Sequence, residues 1–270
     1  MQNPQFQYES INNPAFSNSS KPLQQKPVEE KSDWRFLAVS AFITIVSLNV
    51  IWWIYPNVDV EENLNNSYAS MFILVGLYTF GAAASFFISF NQFIKSYWTL
   101  IPIGLSFLIA LNFRTSYNYQ IAILLILFSV FFLLMQIKII GLKNFFGLIT
   151  FSAMAATALP MGIFFLKHNH VSGAFISSTF PLMVAFAFYM TPIFIAKRNL
   201  ARIVSFIFGV ILIAYHVYLG VNTNAYIAIG LIVFTWVVLI NLNLRQKYRQ
   251  PTFTLLLMID ALILYLQQKG

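Results

Sequence analysis

Residues 119–140 read YQIAILLILFSVFFLLMQIKII, in which Lys138 is the only charged side chain. A helix of about 20 mostly apolar residues can cross the hydrocarbon core of a bilayer, so this stretch predicts a transmembrane span. Eight further stretches of similar character occur at about 35–55, 68–90, 97–113, 145–166, 173–196, 201–220, 225–242 and 252–267. The sequence therefore predicts an all-α fold, a polytopic transmembrane helical bundle of about nine spans over residues 34–270.

The composition supports the same conclusion. Hydrophobic residues make up 59% of the 270 residues and charged residues 9%, whereas soluble domains average roughly 45–50% and 25%. Aromatic side chains gather where apolar and polar stretches meet, as in the interfacial belts of membrane proteins. This set comprises Trp52, Trp53, Tyr55, Tyr97, Trp98, Tyr117, Tyr119 and Tyr265. We expect the lipid bilayer to be the main partner, and the location to be integral to the inner (plasma) membrane of a cell.

The Lys and Arg residues are unevenly distributed over the segments between spans. With a cytoplasmic N-terminus, thirteen of the sixteen lie on the cytoplasmic side, as the positive-inside rule favours. The cytoplasmic set is Lys21, Lys26, Lys31, Arg35, Lys95, Lys138, Lys143, Lys197, Arg198, Arg202, Arg245, Lys247 and Arg249, and the outer set is Arg114, Lys167 and Lys269. The C-terminus is then predicted to lie outside. Because the net charge of +8 is scattered between spans rather than gathered in one patch, we expect no nucleic-acid partner.

The first 33 residues differ from the rest of the chain. Gln, Asn, Ser and Pro supply eighteen of them, and large apolar residues are few. Such a segment buries too little apolar surface to offset its ordering entropy, so residues 1–33 are predicted to form a disordered cytosolic tail. The tail is either a solvated leader or a docking segment for a protein partner. The chain has no cysteine, which excludes disulfides and thiolate chemistry.

Two of the predicted spans share a local pattern. IAILLILFS at 121–129 and IAIGLIVFT at 227–235 are identical at six of nine positions. The two spans are four helices apart, as a parallel duplication of spans two to five and six to nine requires. The match fades elsewhere, since Asp260 corresponds to Met154. The pattern indicates either a duplication or chance similarity between two Ile- and Leu-rich helices.

Asp260 is the only acidic residue, and His216 the only histidine, within a predicted span. A carboxylate in lipid is costly, so Asp260 must face the bundle interior, pair with another group, or be protonated. Counted from the outer ends at 1.5 Å per residue, the two lie roughly 6 and 10 Å deep and could meet through a water. Together they predict a proton relay. The alternative is a protonated Asp260 bonded to a neighbouring helix and a separately capped interfacial His216.

Three prolines fall inside the fifth and sixth spans, at Pro160, Pro181 and Pro192. Each removes a backbone hydrogen bond, and the freed carbonyl needs another partner in hydrocarbon. Kinked or broken helices at the centre of a bundle form the substrate sites of many transporters, and these prolines predict such a path. Kinks that serve only packing are the alternative.

His168 and His170 form a His-Asn-His step in the outer segment after the fifth span, and His216 also lies toward the outer side. Imidazoles combined with a carboxylate can bind zinc or another divalent cation, so these three histidines are a candidate metal site. No other cofactor is expected.

Familiar catalytic motifs are missing from the sequence. There is no Walker A, HExxH or Gly-x-Ser-Gly motif, nor the aspartate-rich motifs of membrane prenyltransferases. A non-enzyme is therefore favoured, and the first hypothesis is a small-solute or lipid-intermediate permease. One alternative is a non-enzymatic subunit of a membrane assembly that docks a partner through its tail. Another is a membrane-embedded enzyme with an outer-face histidine site.

Overall fold

The computed structural model describes residues 34–58, 69–91, 96–113, 119–137, 139–168, 170–241 and 244–269. The predicted tail at 1–33 lies outside these residues. Over the described ranges the structure is helical, with no β-strand. Its α-helices are α1 (Trp34–Ile54), α2 (Ala69–Phe90), α3 (Leu100–Asn112), α4 (Tyr119–Gln136), α5 (Phe145–His168), α6 (Gly173–Phe194), α7 (Arg198–Leu219), α8 (Thr223–Phe234) and α9 (Gln246–Lys269). Short 3-10 helices follow α1 at Tyr55–Asn57 and precede α3 at Ser96–Thr99.

Seven helices in the described part of the chain are long and apolar enough to cross a membrane. The exceptions are α3 and α8, which belong to the shorter apolar stretches Tyr97–Asn112 and Thr223–Val238. These two stretches coincide with the predicted spans at 97–113 and 225–242. The all-α class is confirmed for the described residues, and the features are those of an integral membrane protein. A count of nine spans stays a prediction.

Side-chain caps and glycines set several helix boundaries. Ser172 Oγ accepts a hydrogen bond from the backbone N–H of Phe175 at the start of α6, which satisfies one of the N–H groups that the helix cannot pair itself. Gly220 ends α7 with φ of 132°, a backbone conformation that favours glycine. The connection that follows is short, so α7 and α8 pack as antiparallel neighbours.

Hydrogen bonds between helix ends define one face of the bundle. Lys143 Nζ donates to the Ser89 carbonyl at 2.6 Å, and Arg202 donates to the Asn241 carbonyl at 2.9 Å. The last carbonyls of a helix lack partners within it and carry partial negative charge, so cations stabilise them. We call this end the basic face. Its described Lys and Arg residues are Arg35, Lys143, Lys197, Arg198, Arg202, Arg245, Lys247 and Arg249.

The opposite helix ends meet at a second face. There the Lys167 ammonium donates to the Asn57 side chain, and the Tyr55 hydroxyl contacts the Ser178 carbonyl at 2.5 Å. We call this end the histidine face, and it is marked by Lys167, His168, His170, Asn222 and Lys269. The described basic residues are therefore strongly segregated, as the sequence predicted for the two sides of a membrane.

A π-helical segment lengthens α8. The π-helical residues Thr235–Ile240 follow α8 directly. The two ends of the combined helix touch opposite faces of the bundle. At the start, Asn222 bonds Gln267 near the end of α9. At the other end, the Asn241 carbonyl accepts hydrogen bonds from the basic face. Although α8 itself is short, α8 and the π-helical segment together extend from one face to the other.

A cluster of phenylalanine rings packs the half of the bundle nearer the basic face. Phe151 of α5 lies at its centre, with ring centroids 4.9 Å from Phe86, 5.3 Å from Phe194 and 6.0 Å from Phe186. Aromatic pairs at these separations add attraction beyond the burial of their area. Helices α2, α5 and α6 are therefore held together by one aromatic core.

Helix α7 illustrates how the outer surface differs from the interior. It exposes large apolar side chains such as Phe206 and Val210, and it buries Ser205, Gly209 and His216. In water this arrangement would leave apolar area exposed. In a bilayer the apolar side faces lipid, and small or polar residues mediate helix contacts.

Two predicted belt aromatics are instead internal. Trp52 and Tyr55 are fully buried, and Trp52 Nε1 donates to the Ala155 carbonyl at 3.0 Å. The Tyr55 hydroxyl contacts the Ser178 carbonyl of α6 in the same way. Their polar atoms thus satisfy backbone groups of neighbouring helices rather than lipid headgroups. Tyr97, Trp98 and Tyr119 are exposed, as expected of belt residues.

Candidate functional site

His216 of α7 and Asp260 of α9 touch directly. His216 Nε2 lies 3.3 Å from Asp260 Oδ1, and both side chains are 0% exposed. The sequence predicted a meeting through a water, whereas the structure brings the two groups into contact. The reason is the interior face of α9, on which Leu257, Asp260, Leu264 and Gln267 repeat every three or four residues against α7. Asp260 is therefore sealed between helices.

A chain of hydrogen bonds leads from this pair to the surface. His216 Nδ1 lies 2.5 Å from Gln267 Oε1, and Gln267 Nε2 donates to Asn222 Oδ1 at 3.3 Å. Asn222 is exposed on the histidine face, where its Oδ1 also accepts from the backbone N–H of Ala225 at 2.9 Å. The buried carboxyl group of Asp260 is thus linked to solvent through His216, Gln267 and Asn222.

The donors and acceptors of this chain fix the tautomer of His216. The backbone N–H of Ala225 can only donate, so the atom of Asn222 that receives it is the amide oxygen. Gln267 must then turn its amide nitrogen to Asn222 and its oxygen to His216. It follows from this network assignment that His216 Nδ1 carries a proton. The ring nitrogen of His216 whose protonation can change is therefore Nε2, which faces Asp260.

When His216 Nε2 and Asp260 Oδ1 share a single proton, the net charge of the pair is zero. Either a protonated Asp260 donates to a neutral His216, or an imidazolium faces a carboxylate. A second proton gives a net charge of +1, and the loss of the shared proton gives −1. Burial opposes both charged states, since a buried charge without a partner is expensive. The pair therefore stores one proton and resists gaining or losing one while it stays sealed.

The hydrogen-bonding capacity of the site is not used up. Hydrogen bonds of normal geometry are missing at both oxygens of Asp260, at His216 Nε2 and at the Tyr189 hydroxyl. The Tyr55 hydroxyl contacts Gln268 Oε1, the neighbour of Gln267 on α9, at 3.1 Å. Buried polar groups normally have partners, so the unpaired Asp260 oxygens beside His216 Nε2 favour a functional site. Helices α7 and α9 supply the pair itself.

Sequence reasoning found only two members of this site. Gln267 could have been found, because it follows Asp260 by seven residues and so shares its face two turns on. Asn222 could have been recognised from the sequence as a candidate N-cap residue of α8. Tyr55 and Tyr189 gave no signal, since tyrosines are common throughout this chain.

The three prolines lie inside unbroken helices. Helices α5 and α6 continue through Pro160, Pro181 and Pro192. Pro181 follows the Ser178 turn that Tyr55 contacts, whereas Pro192 lines a cavity at the basic face. The substrate path predicted from the prolines stays a prediction.

His168 and His170 do not come together with His216. His170 Nδ1 lies 2.8 Å from the backbone oxygen of His168, and the His168 ring packs on Phe164 with centroids 4.4 Å apart. His216 is instead paired with Asp260. Across the described ranges, no three His, Cys, Asp or Glu side chains form a group that could hold a metal ion.

Comparison of the chain with protein-family models, with curated proteins and with solved structures finds no match. Function is therefore inferred from the chemistry of the site. The His216–Asp260 pair can hold a proton, and hydrogen bonds through Gln267 connect His216 to exposed Asn222 at the histidine face.

Proposed function

We propose that the protein is a proton-coupled permease for a small solute or a lipid intermediate, with His216 and Asp260 as its proton-binding group. The observation that carries the proposal is a fully buried, directly contacting pair joined by hydrogen bonds through Gln267 to exposed Asn222. Ionisable residues inside a membrane are costly and usually belong to ion or substrate pathways. A purely structural pair would need no polar connection to the surface.

Coupling follows from the charge of the pair. Gain or loss of a proton leaves a net charge in a site without solvent, and the energetic penalty favours a conformation that opens the site to water. Helix α6, which supplies Tyr189 and packs on α9, contains two prolines and so lacks two of its backbone hydrogen bonds. We assign the bending that opens the site to this helix.

The proposal includes a topology. It puts the basic face in the cytosol and the histidine face outside, in the plasma membrane, with all nine helices crossing. The segregation of Lys and Arg between the two faces supports this orientation. The length of α8 with its π-helical segment supports a crossing at that position. Residues 1–33 would then be a cytosolic tail available to a protein partner.

A solute survey with matched variants tests the proposal. Cells that express the wild-type chain, Asp260→Asn or Thr254→Val are compared by mass spectrometry of their contents, with and without a protonophore. Thr254→Val is the control, since it changes another buried polar residue of α9 whose hydroxyl bonds only its own helix. We expect at least one solute whose transmembrane distribution depends on the protein, on the proton gradient and on Asp260.

Reconstitution completes the test. Purified protein in vesicles should then move that solute together with protons, read by a pH-sensitive dye inside the vesicles. Equal movement by wild type and Asp260→Asn would exclude the pair as the coupling group. If no solute in the survey responds to expression of the protein, the proposal that the protein is a permease is wrong.

A further inference from the structure

A cavity of about 350 Å³ opens at the basic face, between the ends of α2 and α6 and the starts of α5 and α9. Polar and charged side chains line one part of it, and Phe90, Pro192 and Phe194 line the other. Its volume lies at the lower end of the range for small-molecule sites. A second, smaller cavity of about 100 Å³ shares Pro192, Ala196 and Arg249 with it and adds Arg198.

The charges around these cavities are all positive. Lys143 and Arg249 line the larger one, Arg198 and Arg249 line the smaller one, and no described lining residue is acidic. Among the described residues Asp260 is the only acidic one, and it is paired with His216. The other seven acidic residues of the sequence, Glu9, Glu29, Glu30, Asp33, Asp59, Glu61 and Glu62, lie outside the described residues.

Lys143 is the clearest member of the group. Its Nζ donates one hydrogen bond, to the Ser89 carbonyl at 2.6 Å, and lies 5.2 Å from the centre of the Phe90 ring. Burial lowers the pKa of its ammonium group. An ammonium has three donors, so two remain for a ligand on the cavity side. A bound anion would also offset the cost of its partial desolvation.

Gln250 and Arg249 line the cavity from the first turns of α9. The Gln250 amide donates to the carbonyls of Phe86 and Phe87 at 3.3 and 3.2 Å, which fixes this part of α9 against the end of α2. Arg249 Nε donates to the Leu244 carbonyl at 2.9 Å. The Arg249 side chain is therefore ordered before any ligand arrives, which lowers the entropic cost of binding.

We propose that this basic-face cavity, lined by Lys143, Arg249 and the neighbouring Arg198, binds a phosphate-class anion. The ammonium of Lys143 and the guanidinium of Arg249 line one cavity, and Arg198 lines the cavity beside it. Such groups suit a phosphate, which accepts several charge-assisted hydrogen bonds. The anion is either a soluble phosphate or the headgroup of an anionic lipid, because basic pockets at the cytosolic ends of membrane helices recognise such headgroups. The site is separate from the His216–Asp260 pair, and Asp260→Asn should leave it unchanged.

Two measurements on the full-length protein separate the sources. In the first, thermal unfolding in a neutral detergent is followed in phosphate and in chloride of equal ionic strength. In the second, native mass spectrometry counts phosphatidylglycerol and phosphatidylcholine molecules retained by protein released from mixed bilayers. The variants are Lys143→Gln and Arg249→Gln, each of which keeps an amide donor and removes the charge. Arg245→Gln is the control, because it removes an exposed charge from the same face outside both cavities.

We expect either a phosphate-specific rise in the unfolding temperature or selective retention of phosphatidylglycerol. Both Lys143→Gln and Arg249→Gln should weaken the apparent affinity for the responding probe roughly tenfold or more, since each removes a hydrogen bond between a charged group and the anion. Lys143→Arg should restore it, and Arg245→Gln should retain it. A response to phosphate identifies a soluble ligand, and a response to lipid alone identifies a headgroup. Equal weakening in Arg245→Gln, or no response to either probe, would overturn the proposal.

Discussion

Replacing Asp260 by Asn should preserve the fold while removing the proton. The Asn amide can donate to His216 Nε2 where a protonated carboxyl would, and Gln267 keeps the Nδ1 proton in place. His216 then stays neutral and the contact remains satisfied. Because one polar contact with His216 replaces another of similar size, we expect the free energy of unfolding to change by less than about 1 kcal/mol. Proton exchange at the site should be lost, since an amide does not titrate.

The substitution His216→Phe should have the opposite effect. It keeps a ring of similar size, so little cavity is created, but it leaves the 0% exposed carboxyl of Asp260 without its partner. Breaking a buried charged pair from one side costs about 3–5 kcal/mol. The double variant His216→Phe with Asp260→Leu removes both polar groups and should recover about 2–4 kcal/mol relative to His216→Phe alone. Both variants lose the hydrogen bond between His216 and Gln267, so this loss cancels when their free energies of unfolding are compared.

The assay is equilibrium unfolding in mixed micelles of a neutral detergent and dodecyl sulfate, followed by circular dichroism. Thr254→Val again serves as the control on α9. If the double variant is no more stable than His216→Phe, the two side chains are not energetically coupled. The contact would then be incidental, and the pair could not serve as the proton-binding group.

Three further predictions concern the polar chain, the packing and the topology. Gln267→Leu should lower the free energy of unfolding by about 1–3 kcal/mol, because His216 Nδ1 loses its acceptor. The same micelle assay measures it, and an unchanged stability would show that Nδ1 does not depend on Gln267. Gly81→Ala puts a Cβ 2.4 Å from Ser106 Oγ and should lower the free energy of unfolding by about 1–3 kcal/mol. Adding Ser106→Gly to the same chain should restore most of that loss, and no recovery would show that the strain lies at another contact. Reporter fusions after His170 should be active only outside the cell and those after Ala196 only inside, and the reverse pattern would invert the proposed orientation.

Much of the fold was predictable because the bilayer acts on each helix separately. The apolar runs predicted α4, α5 and α6 to within a few residues, and their length is set by the thickness of the hydrocarbon core. The basic residues predicted which helix ends lie together, since cations both orient spans and stabilise helix C-termini. Boundaries were less accurate where polar residues extend a helix, as in α9, which begins at Gln246 rather than near 252.

The site was only partly predictable. Asp260 and His216 stood out as the ionisable residues of the spans, and their similar depth followed from helix rise alone. Their direct contact depended on the rotation of α7 and α9 about their axes, as did the recruitment of Gln267. The orientation of α1 and of the 3-10 helix after it likewise turned Trp52 and Tyr55 inward, although their positions along the chain are those of belt residues.

The sequence by itself therefore determined the helical class, the apolar runs and the separation of basic from histidine-bearing ends, because hydrophobic length and charge act segment by segment. Only the tertiary structure decided that α8 reaches both faces through a π-helical segment, that Pro192 lines a cavity at the basic face, and that hydrogen bonds connect the buried His216–Asp260 pair to exposed Asn222. In a membrane protein the lipid-facing and the packed sides of a helix are both apolar, so its amino-acid pattern does not specify which side meets which neighbour.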